Sequence, residues 1–186
     1  ETRAALNRLA REARRNRGSF AARVGEDLER RGDPRFLGSS LLVAAVRHQV
    51  PFTVHLGIGA DIFHMSPNAD GAALGECALR DFREFCRRVR QLDGGGVYLN
   101  VGSAVQLPEV FLKALAVARA SGRAPRGFTT ANLDFIQHYR PTQNVLLRPA
   151  RVFRSQGIAL TGSHELLLPL LGAAILEMDR AEELQS

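Results

Sequence analysis

Four of the five histidines, His55, His64, His138 and His164, stand where a short apolar run gives way to small and polar residues. An imidazole can pass a proton in either direction near neutral pH, and a neighbouring carboxylate can orient it. The stretch His55-Leu-Gly-Ile-Gly-Ala-Asp61-Ile-Phe-His64 supplies both groups, with two glycines that let the loop turn back over the segment before it. Proton transfer is therefore expected of His55, Asp61 and His64. The same three side chains also suit a metal that prefers imidazole and carboxylate ligands. The plainer alternative is a packed strand histidine at 55 and a surface loop histidine at 64.

Three further stretches carry candidate groups. Asn100-Val-Gly102-Ser103-Ala104 joins an apolar run to a helical pattern, and its small residues would let backbone amides approach a phosphate or nucleotide. The later glycines of a full dinucleotide fingerprint are missing. Thr129-Thr130-Ala131-Asn132-Leu-Asp134 through His138-Tyr139-Arg140 is the densest polar cluster, with His138 as a further proton-transfer candidate. Arg140 and Arg148 could each clamp a carboxylate or phosphate. Thr161-Gly162-Ser163-His164-Glu165 is the last, where Ser163 also reads as a helix cap.

The elements needed to position these groups follow from periodicity. Apolar spacing predicts helices over 1–16, 19–31, 41–49, 75–92, 108–121 and 165–183. In the helix over 75–92, Leu79, Phe82, Phe85, Cys86, Val89 and Leu92 are placed on the apolar side. Short apolar runs predict strands at 52–56, 97–101, 127–131 and 158–161, with an irregular stretch over 132–157. Strands alternating with helices at this spacing imply a parallel sheet, which delivers every strand-end loop to one edge. His55, Asp61, His64 and His138 are then expected to share a cleft there, walled by the Gly102-Ser103 turn and Thr130. Residues 1–37 are read as a helical segment continuing from an upstream part, since the chain opens on Glu1 within a helical pattern, and 38–186 as the α/β domain.

Composition narrows the function classes. No stretch reaches the roughly 18 uncharged apolar residues of a membrane span. Cys77 and Cys86 sit nine positions apart on one predicted helix, so about 13 Å separates their Cα atoms, too far for a disulfide. Two buried reduced thiols fit a cytoplasmic setting. The net charge of +6 invites a nucleic-acid reading. Against it, basic residues are spread along the chain, and residues 1–35 interleave ten arginines with six acids. All basic residues but Lys113 are arginine, a bias that looks like a coding preference as much as a binding surface. The expected partners are a small-molecule substrate and further copies of the chain, not a membrane or a nucleic acid.

Taken in order, several segments resemble the deoxyhypusine synthase family and its bacterial relatives, from about Gly38 to Ile175. The carriers are "QVPFTV", "VYLNVGSAV", "GFTTANLDF" and "ELLLPLLGAAI". The resemblance implies a parallel-sheet, Rossmann-like α/β domain with helices on both faces, NAD as cofactor, and a homo-oligomer with sites near subunit interfaces. It assigns cofactor contacts to Gly102, Ser103, Ala104, Thr130, Ala131, Asn132, Ser163 and His164. The family's imine-forming lysine has no counterpart, because residues 132–160 contain no Lys. Classical deoxyhypusine synthesis is therefore not expected, and the histidines with Asp61 would replace the lysine chemistry. A metal-dependent hydrolase or lyase built on His55, Asp61 and His64, and a non-catalytic oligomeric binding protein, stand as alternatives.

Overall fold

The structure is a computed structural model that describes residues 1–183. It divides into two compact units, Glu1–Arg87 and a second from Arg88 onward. The boundary drawn from sequence after residue 37 lies inside the first unit.

The first unit is helical. Helices α1 (Thr2–Arg15), α2 (Phe20–Arg31), α3 (Pro34–Leu37) and α4 (Leu41–Arg47) precede a 3-10 turn at Ile62–Met65 and a long helix α5 (Gly71–Arg90). Capping by short polar side chains starts several of them. Ser19 Oγ accepts from the Ala22 amide at 3.2 Å, Ser40 Oγ from Val43 at 3.4 Å, and Asp70 Oδ1 from Ala73 at 3.0 Å. Apolar stripes of α1, α2 and α5 close on a core of Leu9, Ala10, Ala13, Phe20, Phe63 and Leu74 with their neighbours. Asn7, itself buried, donates to the Phe63 carbonyl at 2.9 Å and so fastens the 3-10 turn to α1. On α5 the buried stripe in this unit runs Ala73, Leu74, Cys77, Asp81, Cys86, whereas Leu79, expected inside, is exposed.

The expected strand at 52–56 is not one. Residues 51–57 run without a ladder partner. An extended segment must still satisfy its amides and carbonyls. Here the Val54 amide is taken by Asp81 Oδ2 at 2.8 Å and the Phe52 carbonyl by Ser19 Oγ at 3.3 Å. Val54 and Leu56 pack on the helical core. A short apolar run is compatible with either outcome, and this unit offers no neighbouring strand to pair with.

The second unit holds a three-stranded parallel sheet, β1 (Val97–Val101), β2 (Thr129–Asp134) and β3 (Gln156–Thr161), in the order β1-β2-β3. Helix α6 (Gln106–Ala120) makes the first crossover. Its Phe111 stacks on Tyr98 of β1 with ring centroids 3.7 Å apart. The stretch expected to be irregular makes the second crossover as an unbroken helical run: α7 (Tyr139–Pro141), a π-helical turn (Thr142–Leu147) and α8 (Arg148–Phe153). Pro149, lacking an amide hydrogen, cannot close a regular bond to residue 145, which suits the wider turn before it. β3 lies close against that turn: a Cβ added at Gly157 would sit 3.1 Å from the Leu146 backbone. Helix α9 (His164–Glu183) follows β3 and contacts β2.

Candidate functional site

The carboxyl ends of the three strands are tied together by side-chain amides. Asn100 and Asn132 face each other across the β1–β2 register and are both buried. The Asn100 amide donates to the Ser103 carbonyl at 2.9 Å and to Asn132 Oδ1 at 2.6 Å. The Asn132 amide donates to Gln137 Oε1 at 2.7 Å, and the Gln137 amide reaches Thr161 Oγ1 and the Leu160 carbonyl, each at 3.2 Å. The turn after each strand is thus bonded to its neighbour, a preorganised polar edge. At this edge Asn100 Oδ1 is buried with no hydrogen-bond partner among the described residues.

Beside this relay stands the Gly102 turn. Gly102 has φ 63°, a left-handed conformation that glycine adopts without strain. The space its missing Cβ leaves is occupied by the His164 imidazole, whose Cε1 would lie 3.2 Å from such an atom. His164 Nε2 is 3.0 Å from the Leu133 carbonyl, which also accepts the Gly102 amide at 3.1 Å. A carbonyl only accepts, so Nε2 carries the hydrogen of this bond. Ser103 Oγ accepts from the Leu107 amide at 3.2 Å in the first turn of α6. Ser163 donates to the Glu165 carboxylate instead of capping a backbone amide, and that bond holds Glu165 below the usual carboxylate range.

Of the residues singled out from sequence, this edge gathers Gly102, Ser103, Asn132 and His164, with Ala104 following and Ser163 preceding His164. Thr130 and Ala131 lie in the interior of β2, both buried, and Thr130 Oγ1 donates to the Gln156 carbonyl at 3.3 Å. The contacting turn expected there comes later, at 135–138. His138 is exposed, and its carbonyl accepts from Thr142 at the start of the helical run. Gln137, which closes the relay, was missed because a lone loop glutamine has no chemical signature. The arginines at 140 and 148 are held by acids and amides: Arg140 lies 3.5 Å from Glu109, and Arg148 donates to Asn144 at 2.7 Å.

His55, Asp61 and His64 belong to the first unit, where each has a structural task. Asp61 Oδ2 accepts the Gly57 amide at 2.8 Å, and His64 Nδ1 accepts the Gly59 amide at 3.2 Å. Both therefore staple their own loop. His55 bonds Thr53 Oγ1 at 3.1 Å and packs edge-on to Phe85, and burial pushes its pKa down. The metal triad weighed as an alternative does not form: among the described residues no three His, Cys, Asp or Glu side chains are placed to hold a metal ion. Sequence reasoning also passed over Asp81, a carboxylate only 3% exposed on the inner stripe of α5, with its pKa raised by burial. Its spacing from Leu74 and Cys77 is the signal that could have found it. Comparison with protein-family models, curated proteins and solved structures finds no match to this chain.

Proposed function

We propose that the second unit is a Rossmann-like, deoxyhypusine synthase-like nucleotide-binding unit. In this reading NAD or a related dinucleotide lies across the carboxyl edge of the sheet, and the protein is an enzyme that does not use a lysine imine. The observation that carries the reading is the Gly102 turn, a left-handed glycine leading into α6 beside the bonded strand ends. Ligands of open parallel sheets bind in the crevice outside the carboxyl ends of strands. The residues present suit a dinucleotide. Gly102 makes the left-handed turn, Ser103 bonds the first turn of α6, and the orphaned Asn100 oxygen marks an unsatisfied acceptor. When bound, the nicotinamide would supply hydride chemistry, and the chain's part is to hold the ligand and manage protons. His164, its ring held through the Leu133 carbonyl, is the imidazole that stands at this edge.

The test is titration calorimetry of the protein with NAD and NADH, repeated with Ser103→Glu. The reading expects saturable binding that the added carboxylate weakens by at least tenfold through repulsion of phosphate. No binding of either form would end it, as would a Ser103→Glu protein that binds equally well. The same reading carries a homo-oligomer, supported by the exposed apolar residues Leu166, Leu170, Ile175 and Leu176 of α9. Light scattering should then report a mass above that of one chain.

A further inference from the structure

We propose that the first unit contains a second, independent ligand site, which takes a small organic cation with a compact apolar body, such as an arylalkyl monoammonium. The inference stands apart from the nucleotide reading, since every residue in it belongs to the first unit. A cavity of about 440 Å³ opens between α2, α4, the 49–53 segment and α5. That volume falls in the range of small-molecule sites. One wall is apolar, with Ala22, Leu42, Val46, Val50 and Phe52 among its residues.

The polar lining has an unbalanced sign. Glu26, Asp81 and Glu84 are acidic, and Arg80 is the basic residue among them. Arg80 is already engaged: one guanidinium nitrogen donates to the Ala13 and Gly18 carbonyls at 3.1 and 2.6 Å, the other to Glu76 at 2.7 Å. Glu26 and Glu84 are bridged to Arg23 and Arg87 at 2.9 and 2.7 Å. Asp81 differs. Its Oδ2 takes the Val54 amide, no ion pair reaches it, and Oδ1 makes no hydrogen bond among the described residues. A carboxylate 3% exposed on a cavity wall, with no ion pair of its own and with Arg80, already engaged elsewhere, as the cation whose field it feels, can still gain from a ligand ammonium. A bare metal ion fits poorly, because the described residues offer no three-ligand cluster. The apolar wall, Phe52 included, would cover the rest of the molecule.

The intact protein is titrated with phenethylammonium, 2-phenylethanol and 3-phenylpropionate, which share one apolar body and differ in charge. The ammonium is expected to bind about tenfold tighter than the alcohol, the scale of one charge-assisted hydrogen bond, and the carboxylate weakest. Asp81→Asn keeps an acceptor for the Val54 amide and should erase the preference for the ammonium over the alcohol. Val46→Trp, which fills the cavity without touching the carboxylate, should abolish binding of both. Should Asp81→Asn fail to fold by circular dichroism, the Val46→Trp protein and the three-ligand series still decide. Equal affinity for ammonium and alcohol, or no saturation by the ammonium at millimolar concentration, overturns the proposal.

Discussion

Two single residues carry opposite pH signatures. Burial raises the Asp81 pKa above its ordinary value of 3.8, so the folded chain holds this proton more tightly than the unfolded chain does. The resulting contribution is fully present below the unfolded value and is lost as pH rises through the folded one. At neutral pH the ionised carboxylate therefore works against folding. Asp81→Asn should raise the urea midpoint there, and the gain should vanish toward about pH 4. His55 runs the other way, because burial lowers its pKa. Its contribution is whole above the unfolded value of about 6.5 and declines as pH falls from there toward the folded value. Replacing His55 by Leu should flatten the acid limb of the stability curve over that window. At Gly102, Ala would place a methyl against His164 in a left-handed conformation, at about 1–2 kcal/mol for the backbone alone. If the nucleotide reading holds, dinucleotide affinity falls with it.

At the scale of elements, the contact between β3 and the π-helical turn is a close one, backbone against backbone. Gly157→Ala should cost about 1–3 kcal/mol, measured by chemical denaturation, since the Leu146 backbone must move. In the first unit Ser19 both caps α2 and holds the Phe52 carbonyl. Ser19→Ala should therefore cost at least the roughly 1 kcal/mol of a helix cap. These elements differ in how plainly they were written in the sequence. The helices were legible, because a stripe such as Leu9, Ala10, Ala13 repeats at the helical period and caps mark the starts. β1 and β3 were legible as apolar runs between turn residues. β2 was placed about two residues early, because Thr130, Asn132 and Asp134 are polar yet point into a buried face, where side-chain bonds satisfy them. The run 52–56 failed as a strand because pairing depends on a neighbour, which no local pattern reports. The site divided in the same manner: Gly102 and Ser103 announced a turn, while the relay through Gln137 exists only once three strands stand side by side.

For the whole molecule, the arginine-rich composition serves internal adhesion. Glu12 bridges Arg8 and Arg23, and Glu76 bridges Arg14 and Arg80. Each exposed pair is worth little alone, about 0–1 kcal/mol, but each places an acid beside a guanidinium that would otherwise face a phosphate. Affinity for duplex DNA should accordingly be weak, with a shallow slope of log K against log salt concentration in a fluorescence titration. Among the described residues no helix is long and apolar enough to cross a membrane.

Both cysteines lie on α5 with their thiols buried, and burial pushes the Cys77 thiol further from its reactive thiolate. A thiol reagent can reach them only when the helix lifts from its core. The first unit thus contains its own stopwatch: the rate at which a chromogenic disulfide consumes the two sulfurs, compared with the rate for unfolded chain, reads the free energy of local opening without any added label.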